Sequence, residues 1–554
     1  MSGHSRPWSA LLPQGVPHDF DPEPSTLTAM LADAVLRHAA QPAVEYYGET
    51  VTFEALGQRV AAAAVALRSA GLRRGERVAL YLPNTPFHPV WFFAVLAAGG
   101  VVTHFSPLDA PRELQHKAAD SGARLAITLS TPLFAERALA LKAAGAMDEV
   151  VLCDDPISLR ADDPVFGDGV RAHEFVAPHA GAAPDPAPVA PSDLALLQYT
   201  GGTTGVPKAA MLSHRNLTAA VAMYRAWFDN SPSTAGDTVT LTYSPLFHIM
   251  GLTTNLLRRV DEGGCVVLRQ RFDAAEAVDT IERLKVTSFG GVPTLWIALT
   301  QLPNIEARDL SSLRYVASGG APLSVELFRR VRSLTGLALR GGWGMTETSP
   351  AGTIVPDALP EDKLGTIGIP LPGIDLRIVA LDEPSRALPA GEVGEIAIRG
   401  ANVTEGYWQR PEETAAAFAD GWLLTGDIGS MDEEGYFYIV DRKKDLIVSS
   451  GFNVYPLVIE NAIAEHPSVD EVIVIGVPDD YRGEAAKAFI VRRAGTSSFT
   501  LDELAEFLAE RIGRHEVPRE IQFREELPRT AVGKPSRRTL RDEELARSKV
   551  ASPA

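Results

Sequence analysis

Apolar residues recur along the chain in two alternating rhythms. In FEALGQRVAAAAVALRSAG (residues 53–71) they return every three or four positions and the run ends in glycine, which predicts an amphipathic helix. RVALYLP (77–83) is a short continuous apolar run, the pattern of a buried strand. VWFFAVLAAGGVV (90–102) is too short to cross a bilayer and predicts a buried helix, a glycine turn and a second strand. LRYVASGG, VTSFGGVP and LALRGGWG each bring a short apolar strand into glycines, and open parallel sheets bind their ligands at such strand ends. The alternation predicts an α/β fold with several sheets.

The chain has 554 residues, too many for one core, and its length predicts roughly three or four domain-sized units. The Ala/Pro-rich stretch APHAGAAPDPAPVAPSD (177–193) has no periodicity and reads as a surface connection inside one large domain. DRKKD (441–445) follows the apolar strand GYFYIV and, taken alone, is a solvated turn. Beyond it SVDEVIVIGVPD, KAFIVRR and LDELAEFLAERIG form a β-α-β-type pattern long enough for a small independent domain.

Composition narrows the function classes. Hydrophobic residues make up 45% and charged residues 22%, as in ordinary globular proteins, and a net charge of −18 argues against a nucleic-acid binder. The only cysteines, Cys153 and Cys265, cannot staple a chain of this size and fit a reducing compartment. The N-terminal stretch lacks the apolar region of a signal peptide and the C-terminal VASPA is no peroxisomal address, so a cytoplasmic protein is expected.

Candidate chemistry concentrates in LLQYTGGTTGVPKAAMLSH (196–214). Gly, Thr and Pro are common in plain surface turns. Yet Gly201, Gly202 and Gly205 let backbone amides approach an anion, Thr200, Thr203 and Thr204 add hydroxyl donors, and Lys208 adds charge. The ATPase P-loop pattern is absent: Pro207 stands six positions after Gly201, and Ala209 follows the lysine. GGWGMTETSP (341–350) supplies an aromatic, Trp343, then Thr346 and Glu347; beside a phosphate loop a carboxylate is the hard ligand that Mg²⁺ on a triphosphate takes. ASGGAPLS (317–324) is a small-residue turn that passes close to a ring or merely begins a helix. WLLTGDIG (422–429) places Asp427 after a strand, as a ribose ligand or a turn aspartate, and PRTAVGKPSRRTL (528–540) is a basic, glycine-containing segment.

Together YTGGTTGVPK, PLFHIMG, ASGGAPL, GWGMTET, LLTGD, GYFYIVDRKKDLI and PRTAVGK, in this order, resemble the adenylate-forming acyl-CoA synthetases, a family that also contains luciferases and peptide-synthetase adenylation domains. The resemblance covers the chain from about Val44 onward, and WSALLPQGVP and SPLDAPRELQHKAADSGARL look most like its medium- and long-chain fatty-acid branch. It implies a large N-terminal domain of stacked α/β subdomains with a small β-barrel piece (1–440), a hinge (441–445) and a small mobile α+β C-terminal domain (446–554). It also implies ATP, Mg²⁺ and coenzyme A as reactants and cofactor, and a reaction through an acyl-adenylate.

By motif position, residues Thr200 to Lys208 hold the β- and γ-phosphates, Glu347 holds Mg²⁺ and Thr346 contacts the α-phosphate. Gly342 and Trp343 face adenine, with Gly320 and Ala321 on the ring's other side, and Asp427 and Arg442 hold the ribose. His248 lies beside the acyl carboxylate, although a lone histidine among apolar residues is usually core. Lys534 bridges carboxylate and α-phosphate, an arrangement that electrostatic stabilisation of two approaching anions requires. Rotation about Asp441 then brings SSGFNV (449–454), with Gly451, to the pantetheine tunnel. The segment before Lys534 also fits a pattern that invites a lysine acetyltransferase.

Ala209, Val448 and Gly341 depart from the family and touch adenine and coenzyme A details. Ile249, Met250, Leu252, Phe289 and Val292 are apolar pocket candidates; Arg258 and Arg259 are either solvated or the counter-charge for a dicarboxylate. The alternatives are a dicarboxylic- or aryl-acid ligase, an enzyme loading a separate carrier protein, and a non-catalytic nucleotide-binding protein.

Overall fold

The computed structural model describes residues 6–17, 19–200, 207–228, 238–319, 325–449, 452–479, 482–529 and 535–551. The chain divides into two compact units, Met1–Asp375 with Ile398–Leu423, and Leu376–Ala397 with Leu424–Ala554. It passes between them within the strands Asp375–Val379, Gly394–Arg399 and Trp422–Met431.

The first unit holds two large sheets. One has seven strands in the order Val170–Arg171, Glu149–Cys153, Leu125–Leu129, Arg77–Tyr81, Val101–His104, Leu194–Thr200 and Lys208–Ser213; only the last pair is antiparallel. The other has six, Tyr315–Ser318, Ser288–Gly291, Val239–Thr242, Cys265–Leu268, Pro42–Tyr46 and Glu49–Thr52, again parallel until the final hairpin. Such sheets are covered on both faces, which is why their strands read as unbroken apolar runs.

The expected helix is Phe53–Ser69, capped by the Thr52 hydroxyl accepting from Ala55 N and ended by Gly71 at φ +94°. Phe87–Ala97 is apolar apart from His88, and all but Phe87 and Val90 of it is buried. Both helices pack in one core with Val78, Leu80, Val102 and Leu196. The Ala/Pro-rich stretch runs within the first unit, tied by Ala187 N to Ala97 O and by Asp185 to Arg68. One expectation fails locally: Leu337–Arg340 is not a strand, and only Arg340 bridges Ala317 before the short antiparallel pair Gly342–Trp343 and Thr353–Ile354.

In the second unit a sheet of Phe452–Val454, Ile447–Ser449, Gly483–Arg492, Val469–Asp479 and Glu520–Arg524 packs on helices Pro456–Ala464 and Leu501–Leu508. Among the described residues no helix is long and apolar enough to cross a membrane.

Candidate active site

In the first unit Thr200 pairs directly with Lys208 across an antiparallel hairpin, and the Thr200 hydroxyl donates to Lys208 O at 3.3 Å, so both ends of the Gly/Thr segment are fixed. Gly201, Gly202, Thr203, Thr204 and Gly205 lie outside the described residues. Lys208 stands over the ring of Tyr407, its Nζ 3.4 Å from the centroid. The Tyr407 hydroxyl donates to Glu347 Oε1 at 2.8 Å. Register makes this meeting possible: Tyr407 bridges Ala210, while Thr404 N donates to Glu347 O at 2.7 Å.

Glu347 is buried, and its second oxygen has no hydrogen-bond partner among the described residues. Burial lowers the Lys208 pKa, and the Glu347 and Glu413 carboxylates offset part of that fall. Burial and the Glu347 charge raise the Tyr407 phenol, which stays a neutral donor. No group of three or more His, Cys, Asp or Glu is clustered to hold a metal among the described residues. One carboxylate with an open oxygen, linked through Tyr407 to Lys208, nevertheless fits Mg²⁺, which takes one or two protein carboxylates and completes its shell with phosphates and water.

Thr346 and Glu347 belong to the single turn Thr346–Thr348, held by Asn402, whose Nδ2 donates to Thr348 O (2.7 Å) and Ala351 O (2.8 Å). Trp343 is half-buried, its N donating to the Thr353 hydroxyl at 3.2 Å. Gly352 is obligatory here, because an added Cβ would stand 2.7 Å from the indole, and at Gly342 it would stand 2.7 Å from Thr353 O. Gly320 and Ala321 lie outside the described residues.

His248 is half-buried at the end of a sharply folded loop: its N donates to Pro245 O at 3.1 Å and its Nδ1 accepts from Met250 N at 3.3 Å, which leaves Nε2 as the ring's donor. A Cβ on Gly251 would meet Pro245 O at 2.2 Å, and Gly251–Leu257 winds as a π-helix, a form enriched at functional sites. Of the apolar pocket candidates, Ile249, Leu252 and Phe289 are packed inside cores, and only Met250 and Val292 are half-buried. Arg258 and Arg259 are neither solvated nor unpaired. Their helical spacing places both on Glu262, at 2.7 and 3.0 Å, and Arg258 also stacks on Phe228 at 4.0 Å. Burial, then Arg258, draws the Arg259 pKa down to about 9.

In the second unit Asp427 and Arg442 face each other across a hairpin and pair at 2.5 Å. The turn before Asp427 is fixed by Glu395, which accepts from Gly426 N (2.9 Å) and pairs with Lys443 (2.7 Å). Residues 441–445 are not a plain solvated turn. Asp441 is buried and accepts from Leu457 N at 2.7 Å, the first turn of helix Pro456–Ala464; buried Asp445 pairs with Arg541 at 2.9 Å and Arg537 at 3.5 Å. Gly451 and Lys534 lie outside the described residues.

Residues 31–408 match the AMP-binding enzyme family, and residues 458–534 match the AMP-binding enzyme C-terminal domain. The chain belongs to the AMP-binding enzymes. Within this family it is 37% identical to the long-chain-fatty-acid–CoA ligase of Bacillus subtilis (strain 168), over 97% of this chain and 98% of that protein. It is 39% identical to the feruloyl-CoA synthase of an Amycolatopsis species, over 89% of this chain and 94% of the relative. Among solved structures it resembles ATP-bound MatB from Rhodopseudomonas palustris, with a TM-score of 0.84, 29% identity and coverage of 94% of this chain and 99% of that one. Tyr407, Asn402 and Glu395 escaped the sequence reading; each lies in a locally unremarkable stretch, and only their glycine neighbours mark turns.

Proposed function

We propose that this AMP-binding enzyme is an acyl-CoA synthetase acting on medium- or long-chain fatty acids. A carboxylate oxygen attacks the α-phosphorus of ATP and diphosphate leaves; the coenzyme A sulfur then attacks the acyl carbonyl, loses its proton, and AMP leaves. The observation that carries the reading is the Lys208–Tyr407–Glu347 contact chain, which sets a cation and a buried, half-open carboxylate at the end of the Gly/Thr segment. Bound with the nucleotide, Mg²⁺ supplies charge neutralisation at the phosphates, and Glu347 is the residue to hold it. Residues 200–208 cradle the β- and γ-phosphates, Thr346 contacts the α-phosphate, Trp343 and Gly342 face adenine opposite Gly320 and Ala321, and Asp427 with Arg442 holds the ribose.

His248 presents Nε2–H to the acyl carboxylate. Lys534 bridges the two anions in the first half-reaction, and the segment after residue 445 then turns about Asp441 to bring Gly451 to coenzyme A. The cap that Asp441 provides to helix Pro456–Ala464 supports a hinge at that residue, with domains at 1–440 and 446–554. The long-chain names among the relatives support an alkyl substrate. So does the engagement of Arg258 and Arg259 by Glu262, which holds both guanidinium groups in buried ion pairs. Two free cysteines, Cys153 fully buried, support a cytoplasmic location. Lys534 is the proposed target of a lysine acetyltransferase.

The test is a screen for diphosphate release over mono-, di- and aryl carboxylates, with mass detection of the thioester when coenzyme A is the sole acceptor. Long-chain monoacids are expected to lead. Release without thioester would move the acceptor to a carrier protein, and preference for aryl acids would overturn the alkyl assignment.

A further inference from the structure

Two buried side-chain amides grip the loop that ends in His248, and they come from distant strands. Asn84, just beyond Arg77–Tyr81, donates through Nδ2 to Ser244 O (3.0 Å) and Arg269 O (3.2 Å) and accepts from Leu246 N (2.9 Å). Gln198, in strand Leu194–Thr200, donates through Nε2 to Phe247 O at 2.9 Å. Its Oε1 faces His104 Nδ1 at 2.9 Å, and His104 Nε2 faces His88 Nε2 at 3.2 Å. Asn84, Gln198, His104 and His88 are all at most 5% exposed.

The order of donors follows by elimination. A carbonyl only accepts, so the Gln198 NH₂ must point at Phe247 and its oxygen at His104. His104 therefore carries its proton on Nδ1, its Nε2 is bare, and His88 must donate from Nε2. That leaves His88 Nδ1 as the acceptor end, buried and without a partner among the described residues. Protonating His104 would set its Nε2–H against the Nε2–H of His88, and burial keeps both rings neutral, with His104 drawn down to about 4. A rotated Gln198 amide would set its oxygen against the Phe247 carbonyl, so the backbone permits one orientation, and the His104 tautomer follows from it.

We propose that Gln198, held through its oxygen by His104, is a positioning residue for the acyl substrate: it fixes the Phe247 carbonyl and thereby the His248 ring, with Asn84 clamping the same loop at Ser244 and Leu246. The proposal rests on the reading of His248 as the group beside the acyl carboxylate. The hydrogen bonds of Asn84 and Gln198 to backbone groups of the loop offset the burial of these amides in a hydrophobic core.

The experiment uses the full chain and the variants Gln198→Leu, His104→Leu, His104→Asn, His248→Ala and Gln198→Leu with His248→Ala. Asparagine at 104 retains an N–H where Nδ1 stood. Gln198→Leu and His104→Leu should each lower kcat/KM for a long-chain acid in diphosphate release about tenfold, with KM for ATP unchanged, and His104→Asn should restore it. Gln198→Leu should add nothing once His248 is gone, because its effect passes through that ring. Hydrogen exchange followed by mass spectrometry provides the arm that needs no activity: amides of residues 243–252 should exchange at least tenfold faster in Gln198→Leu and His104→Leu and at the native rate in His104→Asn. Equal loss of acid and ATP parameters, additivity with His248→Ala, or native protection of the loop would each overturn the clamp. If the wild-type chain released no diphosphate with any carboxylic acid, the acyl-CoA synthetase reading would fall, and the exchange comparison would still decide the clamp. Should Gln198→Leu not fold, the His104 pair carries the same comparison.

Discussion

Replacing Tyr407 by phenylalanine isolates one buried hydroxyl of the first unit. The bond it removes is 2.8 Å long, buried, and made to a carboxylate. Hydrogen bonds to charged groups contribute about 1.5–3 kcal/mol, and at ~1.4 kcal/mol per tenfold this is roughly a 10- to 150-fold effect. Residues that orient a metal-binding side chain cost about 10–100-fold when removed, an independent estimate of the same size. Phenylalanine keeps an aromatic face under Lys208 Nζ, now 3.4 Å from the centroid, so the cation–π contact survives. The expected outcome is weaker MgATP binding by about one to two orders of magnitude, with binding of ATP in excess chelator nearly unchanged.

Calorimetric titration with ATP, with and without Mg²⁺, separates these quantities without turnover. Tyr407→Leu should lose a further ~1–2 kcal/mol, because it also uncovers the ammonium of Lys208. Wild-type MgATP affinity in Tyr407→Phe would falsify the assignment of Tyr407 as the residue that aims Glu347. Equal losses with and without Mg²⁺ would place the hydroxyl's effect on the nucleotide or the fold instead.

Lys534→Ala should abolish adenylation yet leave thioester formation from preformed acyl-adenylate largely intact, and quantitative acetylation of Lys534 should reproduce this by removing the charge; loss of both half-reactions together would refute alternation. Specificity should climb about fourfold per CH₂, ~0.8 kcal/mol each, to an optimum and then fall, whereas seven- and eight-carbon diacids should be poor substrates because an unpartnered ω-carboxylate costs several kcal/mol to bury; diacids used as well as monoacids of equal length would show that Arg258 or Arg259 leaves Glu262. Burial holds His104 and His214 down to about 4 and His88 well below its ordinary value, so between pH ~6.5 and ~4 the unfolded chain binds protons that the fold refuses. Thermal stability should therefore be full above pH ~6.5 and drop as pH falls through that window, by about 1.4 kcal/mol per unit and ring, with a shallower drop in His104→Asn; a flat melting temperature from pH 7 to 4.5 would refute it.

What the sequence disclosed and what it concealed divide along range. Apolar period and local turn chemistry located Phe53–Ser69, Phe87–Ala97, Arg77–Tyr81 and the long strands of the second unit, because each depends on neighbours within a few positions. The Arg258, Arg259 and Glu262 spacing was open to the same logic, since i,i+3 and i,i+4 partners share a helix face, yet the arginines read as free when the glutamate was left out. DRKKD misled in the other direction. A charge run looks solvated, but its two aspartates are buried by partners at Leu457, Arg537 and Arg541, none of which a local pattern reveals. Tyr407 was invisible for the same reason: its hydroxyl meets a carboxylate sixty positions earlier, through a bridge to Ala210 that only sheet register establishes.

Those long-range contacts join into one path through the first unit. Strand Leu194–Thr200 holds the His248 loop through the Gln198 side chain and, two residues on, delivers Thr200 into register with Lys208. Lys208 rests on Tyr407, and Tyr407 holds Glu347. On the proposed reading, the carboxylate end and the phosphate end of the adenylation site are thus referenced to the same short strand. In-line attack requires the acyl oxygen and the α-phosphorus to be placed about 3–3.5 Å apart and aligned, and an error of ~1 Å costs on the order of a hundredfold. A hairpin strand buried at its centre is stiff over two residues, whereas two independent loops would add their displacements. Gln198→Leu and Tyr407→Phe should therefore act on opposite substrates, acid and MgATP respectively, while each leaves the other's binding constant untouched; a Gln198 variant that weakened MgATP as much as acid would mean that the strand itself had shifted.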